Sequence, residues 1–252
     1  MFYGLYLSAQ GAQIQTLRQG LVANNLANAS STSFKRDLLR VQSHPTYDSE
    51  RGLTPTWMPG NLNEMTGGTS PAETFTDYSQ SPLTRTNNQL DLALEGPGFL
   101  KVQDGKQTYL TRDGKLTLNQ QNQLVTRDHG YVVLSTSGSA LPNLDPALPI
   151  QFTSDGSLSQ GADIIAQAAI VEPDSYRDLR KTGQNHYVAE GPVSPATSNV
   201  QLKQGYLENS GVNPIHSMME LIESSRVLEA NVNMIRHQDD AVARLLQSLP
   251  KK

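Results

Sequence analysis

The carboxyl-terminal end carries the strongest constraint on the fold. Over residues 214–249 apolar side chains recur at alternating steps of three and four. Met218, Leu221, Leu228, Val232, Ile235, Val242, Leu246 and Leu249 share one seam, interrupted by Ser225 and Asp239. That spacing is the a/d pattern of a helix packed along another helix. Asn213 is a good N-cap, Pro214 suits the first turn and Pro250 marks the end. At 1.5 Å per residue the helix spans about 50 Å. The amino end repeats the pattern over residues 2–28. Tyr3, Leu7, Ile14, Leu17 and Leu21 fall on the seam, with Gln10, Asn24 and Asn28 at its remaining positions. Asn is a poor helix-interior residue. At a/d positions Asn24 and Asn28 either fix register and partner number at a cost in stability, or belong to a helix end that frays after Leu21.

The middle of the chain has a different texture. From Gly98 to Leu134 short alternating runs are punctuated by Asp104-Gly105, Asp113-Gly114, Asn122 and Gly130, which are hairpin signals. Further short strands are expected around Ile150–Phe152, Ile164–Val171 and His186–Ala189. Residues 35–85, with scattered Pro, Gly, Ser and Thr, read as extended chain. The expected fold is therefore α+β: two long terminal helices pairing as a coiled coil, an extended linker and an inserted, mainly-β domain. The boundaries fall at 1–34 for the first helix, 35–85 for the linker, 86–205 for the β-domain and 206–252 for the second helix. Two helices alone bury little surface, so their stripes are expected to become ordered when several molecules share them.

Composition narrows the function. A net charge of −4 lacks the basic excess of a nucleic-acid binder. There is no cysteine, which removes disulfides, thiolate metal sites and a Cys nucleophile. The first residues, MFYGLYLSAQGAQIQ, lack the basic and long apolar regions of a cleaved signal peptide. No window reaches the roughly 20 apolar residues of a membrane span. His44, His129, His186, His216 and His237 have no metal-ligand spacing, and neither a nucleophile elbow nor a P-loop occurs. Gly96-Pro97-Gly98 reads as a turn feeding a strand. Asp91, Glu95, Asp104, Asp113 and Asp128 read as turn carboxylates rather than a glycosidase pair. No catalytic residue, cofactor, metal or small-molecule substrate is expected. Phe34-Lys35-Arg36 with Arg40 is either a solvated basic face or a contact to a neighbour's acidic surface. Met218, Met219 and Met234 read as core fillers or as adaptable interface packing.

Four stretches carry a family resemblance: ANNLANASSTSFKR near the amino end; LDLALEGPGFLKV followed by YLTRDGKLTLNQQNQLVT; LKQGYLENSGVNP; and MMELIESSRVLEANVNMI. In this order they resemble the rod and hook axial proteins of the bacterial flagellar basal body, most closely the proximal rod members. The resemblance implies a structural subunit of the axial drive shaft that self-assembles through its terminal helices. Its implied partners are copies of itself, other rod and hook proteins and the flagellar type III export apparatus. It implies a periplasmic rod, reached without a cleaved signal peptide. The interface is then expected at Leu7, Ile14, Leu17, Leu21, Asn24, Asn28, Met218, Leu221, Leu228, Val232, Ile235, Val242 and Leu246. One departure is that Ser31, Thr32 and Ser33 stand where the family commonly places a Gly, so a positive φ at this turn is reached less easily. A polysaccharide-processing enzyme and a non-polymerising adaptor are the competing readings. The first would need a carboxylate pair in a cleft; the second would stay discrete at any concentration.

Overall fold

The computed structural model describes residues 2–45, 66–161, 163–183, 185–196 and 199–248. It divides into two compact units, and the chain passes from one to the other after Ala27, Arg36, Asp77 and Val212. The first unit holds both terminal helices, α1 (Phe2–Ala27) and α2 (Pro214–Ser248), and an antiparallel hairpin of β1 (Asp37–Pro45) and β2 (Thr66–Thr76). Leu249, at the end of the expected seam, lies outside the described residues. The Asn213 side chain accepts from the amides of Ile215 and His216 at 3.1 and 3.3 Å, so it caps α2 as its sequence position suggests.

Asn25 is the buried asparagine of the amino-terminal motif, whereas Asn24 is exposed. Its side-chain amide donates to the Asp37 carbonyl at 2.9 Å and its side-chain oxygen accepts from the Asp37 amide at 3.0 Å. The side chain thus pairs with the first residue of β1 as a neighbouring strand would. Of the span expected as extended linker, part is this hairpin, residues 46–65 lie outside the described residues, and residues 35–36 and those from Tyr78 belong to the second unit.

The second unit is the β-body. In chain order its strands are β3 (Leu83–Arg85), β4 (Leu92–Glu95), β5 (Phe99–Asp104), β6 (Gln107–Thr111), β7 (Leu116–Leu118), β8 (Leu124–Thr126), β9 (Val132–Val133), β10 (Ile150–Phe152), β11 (Ser157–Gln160), β12 (Asp163–Gln167), β13 (Ile170–Pro173), β14 (Leu179–Gly183), β15 (His186–Ala189), β16 (Val193–Pro195), β17 (Gln201–Gln204) and β18 (Tyr206–Glu208). The main sheet runs β14-β15-β6-β5-β9-β8-β7, and β13 joins β5 to β16. A three-stranded sheet of β10, β11 and β12 and the pairs β17–β4 and β18–β3 complete it. The core is aliphatic, with Leu92, Leu100, Val102, Leu116, Leu124 and Leu158 all but sealed from solvent. A second cluster gathers Phe99 and Tyr187 with Tyr78 and Tyr176 at ring separations of 5.2–6.3 Å.

Several turn readings hold. Gly105 joins β5 to β6, Asn122 joins β7 to β8 and Gly130 joins β8 to β9, each with positive φ. Asp113-Gly114 differs, because β6 and β7 do not pair. Gly114 is required by proximity: an added Cβ would sit 1.5 Å from the Leu92 carbonyl oxygen. The Leu92 amide donates to the Gly114 carbonyl at 2.9 Å. A Gly needed for close backbone approach and one needed for a turn look alike in sequence.

Residues 28–36 are drawn into the β-body rather than extending α1. Lys35 is fully buried, and its Nζ donates to Glu208 Oε1 at 2.6 Å and to the Ser79 carbonyl at 2.7 Å. Glu208, also buried, accepts from the Ser81 amide at 2.8 Å and faces Arg112 at 3.4–3.5 Å. Arg112 donates further to the carbonyls of Gly98 and Gly96. Lys181 donates to the Lys35 carbonyl at 2.9 Å, and its ammonium lies 4.1 Å from the centroid of the Phe34 ring. Both sequence readings of Lys35, solvated face and neighbour contact, are therefore corrected. Its charge is spent inside the chain on an acid 173 residues away, which local sequence does not announce. Arg40 likewise pairs within its own hairpin, with Glu73 at 2.8 Å.

The turn itself is also resolved. Ser33 adopts φ 55° without being glycine. Its amide donates to the Glu208 carbonyl at 2.9 Å and its hydroxyl to the Arg112 carbonyl at 2.7 Å, both out of solvent. These bonds offset the cost of a left-handed backbone at a residue with a Cβ.

Two outcomes follow from the β-body. Glu208→Gln leaves two buried cations short of a counter-charge and lowers stability by about 3–5 kcal/mol in denaturant unfolding. Asp155 accepts from the hydroxyls of Thr153 and Ser157 and from the Ser157 amide. Those bonds favour the carboxylate and pull its pKa down to about 2. The folded pKa lies below the unfolded one, so this stabilisation is complete above pH ~4 and is lost as pH falls towards 2. The stability difference between the wild type and Asp155→Ala is therefore expected to shrink across that window in unfolding curves taken from pH 5 down to pH 2.

Candidate subunit interface

α1 and α2 run antiparallel. A Cβ on Gly4 would lie 2.9 Å from the Gln238 side chain, and one on Gly11 would lie 3.1 Å from that of Asn231. The Ser224 hydroxyl donates to the Gln15 side-chain oxygen at 2.9 Å. The offset between partners is constant from Gly4–Gln238 to Gly11–Asn231. Extended along the pair, it sets Leu7 against Ile235, Ile14 against Leu228 and Leu21 against Leu221. Burial agrees, with Ile14 sealed and the other five half-buried.

The facing surface of α2 comprises Ser217, Leu221, Ser224, Leu228, Asn231, Ile235, Gln238 and Val242. Its spacing is the expected alternation of four and three, but alternate positions are displaced by one residue. Ser217, Ser224, Asn231 and Gln238 face α1 where Met218, Ser225, Val232 and Asp239 were expected. The same displacement occurs in α1, where Gly4, Gly11 and Asn25 replace Tyr3, Gln10 and Asn24. The physical reason is close approach. Gly4 and Gly11 leave room for the amide side chains of Gln238 and Asn231, and a side chain on either glycine would hold the helices apart.

Several apolar side chains face outward at the start of α2. Ile215, Met218, Met219 and Ile222 are 71%, 52%, 64% and 56% exposed. At 3.6 residues per turn they form one stripe opposite the face that meets α1. Tyr3, Tyr6 and Leu17 are exposed on α1, and Val227, Met234, Leu245 and Leu246 on α2. Of the expected interface residues, Leu7, Ile14, Leu21, Leu221, Leu228, Ile235 and Val242 thus lie on the inner faces. Leu17, Asn24, Met218 and Leu246 lie outside, and Val232 is half-buried. Asn28 belongs to the second unit, where its carbonyl accepts from the Ser210 hydroxyl at 2.9 Å.

Two hollows adjoin this surface within the first unit. One, of about 230 Å³, is bounded by α1, the start of β1 and α2, and carries Arg18 beside Glu220 and Glu223. The other, of about 370 Å³, is mainly apolar and lies between α1 and β2, with Leu17, Leu21, Leu39 and Pro71 on its walls. Among the described residues no group of three or more His, Cys, Asp or Glu is placed to hold a metal. No helix among the described residues is long and apolar enough to cross a membrane.

A helix pair built from both chain ends, with an exposed apolar stripe at the start of α2 and an inserted β-body, defines a class of α+β protein. Comparison with known proteins gives the class its family. Residues 203–248 match the family model described as flagellar basal body rod FlgEFG protein C-terminal, and residues 93–179 match that described as flagellar hook protein FlgE/F/G D1 domain. The chain is 34% identical over 242 residues to the flagellar basal-body rod protein FlgF of Caulobacter vibrioides, covering 94% of each. It is 31% identical over 268 residues to the rod protein FlgG of Buchnera aphidicola subsp. Schizaphis graminum, covering 98% of this chain and 100% of the relative. With FlgF of Escherichia coli it shares 28% over 268 residues and 99% of each chain. The chain belongs to the flagellar basal-body rod protein family. It is a structural subunit of the rod, in a family whose members are structural rather than catalytic.

The antiparallel seam makes one direct prediction. Gly11→Leu drives a branched side chain into Asn231 and weakens helix pairing by about 1–3 kcal/mol. Thermal unfolding followed at a helix-sensitive wavelength is expected to show an earlier loss of helix.

Proposed function

We propose that the helix pair is the polymerising element of this rod subunit. Leu7, Ile14, Leu21, Leu221, Leu228, Ile235 and Val242 hold the two helices together. Leu17, Asn24, Met218 and Leu246 face neighbouring subunits, with Ile215, Met219 and Ile222 extending that contact. Val232 lies at its margin, and Asn28 anchors the chain where α1 gives way to the β-body. The observation that carries this reading is the apolar side chains that the helix pair leaves outside: Ile215, Met218, Met219 and Ile222 are more than half exposed at the start of α2, although the inner seam already has its own leucine and isoleucine layers. Such a surface is costly in a free molecule and marks a contact. The neighbours are copies of this chain and other rod and hook axial proteins. A contact between different patches on successive subunits generates an open helical stack rather than a closed dimer.

The subunit acts in the periplasmic part of the axial structure and reaches it through the flagellar export apparatus without a cleaved signal peptide. It catalyses no reaction and needs no cofactor, nucleic acid or small-molecule substrate. The run SGVNPIHSMMELIESSR favours a place in the proximal rod, with the distal rod as the alternative. The position of the labelled protein along isolated basal bodies decides between them.

Ile215→Asp combined with Ile222→Asp is expected to leave the unfolding curve of the free chain within about 0.5 kcal/mol of wild type, because both side chains face solvent. The variant is expected to be missing from isolated basal bodies, with motility lost. Incorporation at the wild-type level would overturn the reading. A free chain that stays discrete by sizing and electron microscopy at every concentration, alone and with its rod neighbours, would favour the adaptor.

A further inference from the structure

The outer stripe of α2 contains two adjacent thioethers. Met218 and Met219 lie between Ile215 and Ile222 on the face turned away from α1, each more than half exposed. Such exposure is unusual for methionine, which ordinarily fills apolar interiors. An accessible thioether is the side chain, after a thiol, most readily oxidised by peroxides, and this chain has no thiol to compete for the oxidant.

We infer that Met218 and Met219 form an oxidation-sensitive site that controls entry of the subunit into the rod. This rests on the assembly reading above. A hydroperoxide transfers one oxygen to the sulfur lone pair. The S–O bond forms as the O–O bond breaks, sulfur loses two electrons, and the departing oxygen takes up a proton and leaves as water or alcohol. The product sulfoxide is a strong hydrogen-bond acceptor in the middle of an apolar stripe. In the free subunit water satisfies it, so the fold is little affected. In an assembled contact it would be buried without a donor, which opposes assembly. Assembly in turn covers the sulfur atoms, so the site is open before incorporation and closed after it. Met234, 55% exposed on the flank of the same helix, serves as an internal reference for solvent reactivity.

The test uses the purified full-length chain and hydrogen peroxide. Peptide mass spectrometry measures sulfoxide at Met218, Met219 and Met234, and sedimentation with the neighbouring rod proteins measures assembly. In the free chain both stripe methionines are expected to oxidise at least as fast as Met234. The concentration needed for half-maximal assembly should then rise about tenfold or more. Treatment with methionine sulfoxide reductases of both stereospecificities should restore it. Peroxide added after assembly should modify Met218 and Met219 several-fold more slowly than in the free chain.

Unchanged assembly with both residues oxidised would overturn the inference and leave the assembly reading standing. Equal oxidation before and after assembly would overturn it too, even if the oxidised helix proved less stable. Failure of the untreated chain to assemble would remove the reading and the inference together.

Discussion

The carboxylate of Glu208 is the interaction on which the β-body depends. It sits at the end of the last strand, out of solvent, and binds the ammonium of Lys35, the guanidinium of Arg112 and the amide of Ser81. These groups come from the segment after α1, the loop after β6, the approach to β3 and the last strand of the body. A buried charge without partners is prohibitively costly, so each segment must reach the same point for the others to be tolerated. The left-handed turn at Ser33 follows from this arrangement. Its two hydrogen bonds run to the carbonyls of Glu208 and Arg112, the residues that carry the two opposite charges. The segment that follows α1 is thus part of the body, although sequence order makes it look like the tail of a helix.

The first unit is built on the opposite principle. Its helices meet across a seam in which apolar layers alternate with glycine, serine and amide layers. Such a seam fixes direction and register through close approach, at the expense of apolar burial. The apolar residues it omits lie on the outside of the pair. The inner face decides how one chain folds back on itself, and the exposed apolar residues are the ones we propose for contact with neighbours.

The three asparagines of VANNLANASS show how residues of one type take different roles. Asn24 faces outward, Asn25 is buried against the first residue of β1, and the Asn28 carbonyl accepts the Ser210 hydroxyl within the β-body. The alternation of three and four puts Asn24 and Asn28 on the helix seam and leaves Asn25 off it. Asn25 is turned inward by its two bonds to the Asp37 backbone, which a period does not announce. On α2, Ser217 rather than the bulkier Met218 faces the partner helix.

The sequence by itself determined the two terminal helices, the Asn213 cap, the turns at Asp104-Gly105, Asn122 and Gly130, the β character of the centre and the family. These features are local: a period, a cap or a backbone angle is set by residues a few positions apart. Only the tertiary structure decided which phase of each helix faces its mate, that Gly114 is required by the Leu92 carbonyl, and that Lys35 is an interior cation of the β-body. Each of these depends on a partner far away along the chain, and the energy that selects it, close packing or compensation of a buried charge, exists only once the chain has brought the two together.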